Sequence, residues 1–345
     1  MTDASNATSS KPVAAPRRSQ GQVVVARALW HVKPGVAELR TERLTAPRPG
    51  EARVATRYSA ISRGTERLVA LGEIPKSEWT RLRAPLQSGN FPFPVKYGYS
   101  ATGVVAAGSD AWIGKRVFAL HPHQDHFQIP ETMLTAIPDA VSDQRATLAA
   151  NMETALNAHW DAGTGPGDNV LVVGAGVLGL LVAYLARRIA GVRVTIIDID
   201  AARAGIADKL GLAFASPAEA PVDNQIVFHT SASGAGLEAA IGAAAFEGRI
   251  IELSWYGSKP VTISLGGAFH SRRLQLISSQ VGHVAPSRRT ATTRQARLET
   301  ALTLLDDSAL DVLVSDEVAF DDVAAELPRI FSGSAGGLAP IIRYT

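Results

Sequence analysis

The sequence predicts an α/β protein of two domains, a β-rich first domain followed by a doubly wound parallel sheet. Three observations carry that expectation. Short alternating strands separated by Pro and Gly fill the first third of the chain. From Val170 onward, fully apolar runs alternate with helical segments, the pattern of a parallel sheet covered on both faces. A length of 345 residues with 46% hydrophobic and 19% charged side chains is enough for about two domains and is an ordinary globular composition.

Residues 1–20 are rich in Ser, Thr, Ala and Pro and read as a disordered tail, with no apolar run of the kind a secretory signal needs. Strands are predicted over 22–29, 36–44 and 52–61, with Pro47-Arg48-Pro49-Gly50 breaking the second from the third. The stretch 63–93, punctuated by Gly72, Pro75, Pro85 and Gly89, reads as irregular. Strands resume over 100–106 and 116–120, and 130–138 reads as a further strand and its exit. A helix is predicted over 142–161, with Ser142 or Asp143 as N-cap. Beyond it the pattern alternates: strand 192–197, helix 201–210 closed by Gly211, strand 225–230, helix 236–245, and strands 249–255 and 274–281. A helical stretch over 293–305 and two short apolar runs complete the chain.

The second domain begins at Val170-Leu171-Val172-Val173-Gly174-Ala175-Gly176-Val177-Leu178-Gly179. An apolar strand runs into Gly-x-Gly-x-x-Gly and then into a helix. The first glycine permits a tight turn, the second lets a pyrophosphate approach the backbone, and the third lets helix and strand pack closely. The next strand ends in Asp198, 19 residues after Gly179, where an acid that binds a ribose 2′-OH belongs. A carboxylate there repels a 2′-phosphate, so the reading is a dinucleotide site for NAD(H). Gly174, Gly176, Val177, Leu178, Gly179 and Asp198 are its candidate residues. Thr230 and Ser254, at the carboxyl ends of later strands, border the nicotinamide.

The totals exclude several classes. A net charge of +2 gives no reason to expect nucleic acid or an anionic membrane as partner. The run 170–190 is apolar, but its glycines fit a strand, turn and helix better than a membrane span. With no cysteine, disulfides, thiol nucleophiles and cysteine-ligated zinc are excluded. A cytoplasmic location is compatible with this.

The order of a β-rich domain, Gly165-Pro166-Gly167-Asp168 and the glycine turn resembles the medium-chain dehydrogenase/reductase superfamily. The segments 58–66 and 93–103 look like its two catalytic segments. Ser62-Arg63-Gly64-Thr65-Glu66 is most similar to the bacteriochlorophyllide a dehydrogenase-like branch. The resemblance implies a GroES-like catalytic domain (21–150 and 286–345), a Rossmann domain (151–285) and a cofactor between them. It leaves a homodimer open. Where zinc-dependent members carry their ligands, this chain has Ser62, Tyr99 with Ser100, and Ala150 or Asn151. These are hydroxyls, an amide and a methyl, not the thiolate, imidazole or carboxylate that Zn²⁺ wants. No catalytic or structural zinc is expected.

Without a metal, a hydrogen-bond donor must polarise a carbonyl oxygen as it gains alkoxide character. Ser62, Thr65 and above all Tyr99 are candidates. A phenol with an ordinary pKa of about 10 needs a shifted pKa or a relay for proton transfer at neutral pH. His121 is a candidate relay on the pocket wall. His123 and His126 read as a surface loop, with a metal held by the 121–126 stretch as the lesser reading. Glu153 is a candidate buried acid or base. The function expected is a zinc-independent, NAD-dependent oxidoreductase acting on a small alcohol or carbonyl. A quinone or enoyl reductase and a non-catalytic dinucleotide sensor are the alternatives.

Overall fold

The computed structural model describes residues 23–332 and 338–345. The tail expected over 1–20 lies outside the described residues.

The first domain contains strands β1 (Val24–Lys33), β2 (Val36–Leu44) and β3 (Glu51–Ala60), helix α1 (Thr65–Leu71), and the two-residue strands β4 (Ser88–Gly89) and β5 (Val95–Lys96). Strands β6 (Ala101–Ala107), β7 (Arg116–Ala119), β8 (His126–Pro130) and β9 (Thr135–Ala136) complete it. β1 carries buried residues through its middle, β2 alternates half-buried and exposed ones, and together they form the first hairpin, closed at Gly35 with φ +70. Two expectations are corrected. The 63–93 stretch contains α1, a short helix held between Gly64 and a left-handed Gly72. The strand expected over 130–138 is cut to the two residues of β9, paired with β7, and a strand not expected, β8, precedes it and pairs with β3 up to Pro130 opposite Glu51.

The predicted 142–161 helix is broken in two, α2 (Asp143–Ala146) and α3 (Ala149–Ala162). Ser142 caps α2 by accepting the Arg145 N–H at 3.1 Å. Ala149, Met152, Ala155, Ala158 and Ala162 fall at helical spacing on α3, and all are buried.

The second domain follows: β10 (Asn169–Val173), α4 (Val177–Arg187), β11 (Arg193–Ile197), α5 (Ala204–Lys209), β12 (Ala213–Ala215), β13 (Asn224–His229), α6 (Gly234–Ala243), β14 (Ala244–Glu252) and β15 (Gln275–Ser278). The six strands pair in the order β12-β11-β10-β13-β14-β15, all parallel. Val170 and Val172 pack with Leu180, Leu181 and Phe228 on one face. Leu171 and Val173 pack with Val227, Leu237, Ile241 and Ile250 on the other. Both faces are buried, which is why the strands read as unbroken apolar runs. Strand order reverses between β10 and β13, and ligands of such sheets bind at that crevice.

The chain then runs through α7 (Arg294–Thr303), β16 (Val314–Ala319), α8 (Val323–Phe331) and β17 (Ala339–Arg343). Leu298, Ala301 and Leu302 of α7 belong to the core that contains α3 and α4. The return to the first sheet is made further on by β16 and β17, and Ile341 of β17 pairs antiparallel with Ala60. Helix α7 thus packs in a core shared by both domains before the chain returns to the first sheet. The first domain's larger sheet runs β16-β17-β3-β6-β7-β9, with β8 also on β3. No helix among the described residues is long and apolar enough to cross a membrane.

Candidate active site

The glycine turn at the end of β10 has the geometry of a phosphate cradle. Gly174 has φ +109, and a Cβ there would lie 2.9 Å from the Ser231 nitrogen and the Thr230 Oγ1. A Cβ on Gly179 would meet the Gly174 carbonyl at 1.9 Å. A Cβ on Gly176, by contrast, would meet nothing within 4 Å. Two of the glycines close the turn, and the third opens toward space before the first turn of α4. Helix N-terminal amides point into that space, as a pyrophosphate requires. Thr230 ties the crevice together, its hydroxyl donating to the Val173 and Gly174 carbonyls at 3.0 and 2.9 Å. Asp198 stands beside the turn and accepts the Ala175 N–H at 2.6 Å and the Asp200 N–H at 2.9 Å. These residues fit a dinucleotide.

On the first-domain side, Ser62, Thr65 and Tyr99 come together. The hydroxyls of Ser62 and Thr65 stand beside Tyr99 and favour its ionised form. Burial, and then the nearby Glu66 charge, outweigh them and push the Tyr99 phenol up to about 12. Tyr99 is therefore a donor that keeps its proton at neutral pH.

Beneath this cluster lies a buried polar chain. Glu66 accepts the Ser62 N–H at 2.8 Å through one oxygen and the His123 Nε2–H at 2.8 Å through the other. His123 Nδ1 lies 2.7 Å from the Ser59 hydroxyl, which lies 2.8 Å from the Tyr344 hydroxyl. His123 is fully buried, which corrects its reading as part of a surface loop. The Arg116–Phe127 passage is short, and it carries residue 123 under Gly98 rather than out to solvent.

His121 does not titrate near neutrality. Burial drives its imidazole down to about 3, its ring stacks on Phe127 at 3.9 Å, and Nδ1 bonds the Pro122 carbonyl. Glu153 is occupied elsewhere. Its carboxylate accepts from the buried Arg297 at 3.0 Å, and Arg297 also holds Asn157 and two backbone carbonyls, clamping α7 to α3. Burial raises the Glu153 pKa against the pull of Arg297. His121 and His123 are buried on different partners, and His126 stands beside Asp125 at 3.6 Å.

A third cluster borders the crevice from the second domain. His229, at the end of β13, lies 2.8 Å from Glu252 through Nδ1 and 2.7 Å from Ser231 through Nε2. Glu252, at the end of β14, also accepts the Ser254 N–H at 2.7 Å and the Tyr256 hydroxyl at 3.1 Å. Burial opposes the charge on Glu252, but His229 and Ser254 hold its carboxyl below the usual range. Ser254 itself accepts the Ala232 N–H at 3.0 Å. Glu252 and Tyr256 were missed in the sequence, although their place at and just after the end of a parallel strand was a usable signal. Trp255 packs against the cluster that holds Leu68, Phe91, Tyr97 and Tyr99, so the crevice is closed by both domains.

The three positions that the resemblance assigns to zinc ligands hold Ser62, Tyr99 and the Ala150–Asn151 pair. Among the described residues, no group of three His, Asp or Glu stands where it could hold a metal ion. The donor set does not fit zinc.

No protein-family model matches the chain. Over 82 residues it is 32% identical to L-idonate 5-dehydrogenase of Vitis vinifera, an alignment covering 24% of this chain and 22% of that protein. Over 141 residues it is 28% identical to D-xylulose reductase A of Aspergillus niger, covering 39% of each. The matched region thus spans well under half the length of these relatives. Among solved structures, L-idonate 5-dehydrogenase of Escherichia coli superposes with a TM-score of 0.77 at 12% identity, covering 94% of this chain and 100% of that one. A structure described as a zinc-binding dehydrogenase of Sinorhizobium meliloti, bound to NADP, gives 0.73 at 18%, covering 93% and 99%. An alcohol dehydrogenase of Escherichia coli complexed with NADH gives 0.72 at 17%, covering 92% and 99%. What is shared at these identities is the fold. The chain has the α/β fold of the medium-chain alcohol dehydrogenases, a GroES-like domain joined to a Rossmann domain.

Proposed function

We propose that the chain is a medium-chain oxidoreductase that uses NAD(H) to interconvert an alcohol and a carbonyl without zinc. The observation that carries this reading is the trio of Tyr99, Ser62 and Thr65 hydroxyls on the first-domain side of the crevice that the glycine turn opens into. Named relatives that act on idonate and xylulose support the alcohol–carbonyl chemistry. They are polyol enzymes, so the narrower likeness to the bacteriochlorophyllide branch is not carried forward. Asp198 supports NAD over NADP, because a second negative charge beside it would be repelled.

A bound nicotinamide would supply or accept the hydride. Gly174, Gly176, Val177, Leu178 and Gly179 would hold the pyrophosphate, Asp198 the adenine ribose, and Thr230 and Ser254 the nicotinamide side. Tyr99 donates its O–H to the substrate oxygen as negative charge grows there. The Ser62 and Thr65 hydroxyls donate in turn to the Tyr99 oxygen, so a share of that charge spreads onto two further donors. His121 stays neutral and Glu153 stays paired, and both serve packing.

The test uses NADH deuterated at the transferable position, incubated with the protein, a chelator and a metabolite extract. Mass spectrometry of a product carrying deuterium on a carbinol carbon supports the reading. Label on a saturated C–C unit would replace it with the enoyl reductase alternative. NADH binding with no labelled product would favour a sensor, and no binding would remove the dinucleotide site.

A further inference from the structure

The mechanism above leaves unused the most deeply buried polar chain in the first domain. Ser59 and His123 are fully buried, and Glu66 is 1% exposed. Glu66 and His123 are 57 residues apart in sequence and meet at 2.8 Å. A carboxylate only accepts, so with a neutral imidazole the donors run one way. Tyr344 donates to Ser59, Ser59 to His123 Nδ1, and His123 Nε2–H to Glu66. The other Glu66 oxygen holds the Ser62 N–H, and the Glu66 N–H returns to the Ser62 carbonyl at 2.9 Å. That pair of bonds fixes the turn from Ser62 to Thr65, whose two hydroxyls stand beside Tyr99. From the opposite side, a Cβ on Gly98 would lie 2.9–3.0 Å from the His123 ring and backbone, so only glycine lets the ring sit directly under the residue preceding Tyr99.

We propose that Glu66 and His123, supported by Ser59 and Tyr344, are positioning residues that aim the Ser62, Thr65 and Tyr99 hydroxyls at the substrate oxygen. This rests on the oxidoreductase reading, and it goes beyond it by assigning work to four residues that touch neither cofactor nor substrate. The unit stands where a metal site would otherwise order the same segments. Its polar atoms satisfy one another, so a single deletion propagates along the chain.

Two measurements test the proposal. In the first, the protein carries 3-fluorotyrosine, and Tyr99→Phe assigns the Tyr99 ¹⁹F resonance. Glu66→Gln should shift that resonance, and Tyr344→Phe, which removes one hydroxyl at the far end, should shift it less. Unchanged dispersion of the remaining tyrosine signals shows that each variant is folded. A Tyr99 signal that stays put in folded Glu66→Gln overturns the proposal, whatever the activity. In the second, a double-mutant cycle is run on the substrate found by deuteride transfer. Glu66→Gln should lower kcat about tenfold with KM and NADH affinity little changed, and should cost almost nothing further in the Tyr99→Phe background. Additive losses would mean a merely structural role and would overturn the assignment. Loss of NADH binding by the wild type would instead strike at the oxidoreductase reading, and the ¹⁹F result would still decide the positioning.

Discussion

On the proposed reading, recognition turns on Asp198 and chemistry on Tyr99, and each has an environment that makes its replacement informative. Asp198 already accepts two backbone N–H groups, yet each carboxylate oxygen has a second lone pair for a ribose hydroxyl. Asp198→Ala should weaken NADH binding by about tenfold or more and bring the NADH and NADPH affinities together, since both acceptor and repulsion are lost. Fluorescence titration with the two cofactors checks this, and an unchanged preference would take Asp198 out of the ribose site. Tyr99→Phe removes a donor while keeping the ring, and kcat should fall by about 10²-fold with KM nearly constant. A wild-type rate would reduce Tyr99 to packing. Both were singled out in the sequence, Asp198 by its spacing from the glycines and Tyr99 by its place in a segment that the resemblance marks, and the structure sets Asp198 beside the glycine turn. His123 was not legible, because its meaning depends on Glu66 and Ser59, far away in sequence, and three nearby histidines look alike until the backbone sorts them.

At the scale of elements, the glycine turn makes a contrast that can be measured. Gly179→Ala would drive a Cβ to 1.9 Å from a backbone carbonyl, so helix α4 would have to move off β10. That variant should unfold tens of degrees early or not accumulate. Gly176→Ala meets no atom within 4 Å, and the backbone there, at φ −75, suits alanine. It should melt with the wild type but bind NADH far more weakly, as calorimetry with and without cofactor will show. Equal loss of fold in both variants would mean that Gly176 is structural and not part of a cradle. The α3–α7 clamp gives a second prediction. Arg297→Met leaves a buried Glu153 carboxylate without its cation and should cost about 3–5 kcal/mol at neutral pH. Burial raises the Glu153 pKa and Arg297 opposes it, so removing Arg297 leaves burial to disfavour the carboxylate. The penalty should therefore be small below the unfolded carboxyl value near 4.5 and grow as pH rises past it. Denaturant melts across that range check the sign. The strands and helices of the second domain were readable because two buried sheet faces impose unbroken apolar runs. The break between α2 and α3 was not, because Thr147 and Leu148 interrupt the helix without a proline or glycine to mark it.

For the molecule as a whole, the histidines set an acid limit on stability. Burial lowers His31 to about 4, His121 to about 3 and His159 to about 4, from 6.5. Each is neutral in the folded protein and takes up a proton near pH 6.5 once unfolded. Their contribution is present above 6.5 and is lost as pH falls from there toward 3–4. The melting temperature should decline over that interval, and His121→Phe, which preserves the ring on Phe127, should make the decline shallower. Identical slopes for the variant and the wild type would show that His121 is not buried as described. The general plan, β-rich domain then parallel sheet, was legible from patterning alone. The return of the last strands to the first sheet came from the family resemblance, which placed 286–345 with the first domain; patterning alone names no partner for β16, which carries Ser315, Asp316 and Glu317, or for the short β17.

That return has a consequence for how the protein assembles. β17 is the neighbour of β3, and the pairing of Ile341 with Ala60 spans some 280 residues of intervening chain. The pairing closes one of the longest loops the chain contains, an entropic step that slows folding of non-local sheets. During synthesis the second domain, with its local β–α–β units, can fold while β3 still presents an open edge to its surroundings. An isolated fragment ending near residue 150 would keep that edge open at the 58–60 end of β3, β8 covering only 51–55, and its amides and carbonyls there would be available to other chains. Its self-association on refolding, and suppression by a peptide spanning 314–345, would mark late strand insertion as the committing step of assembly.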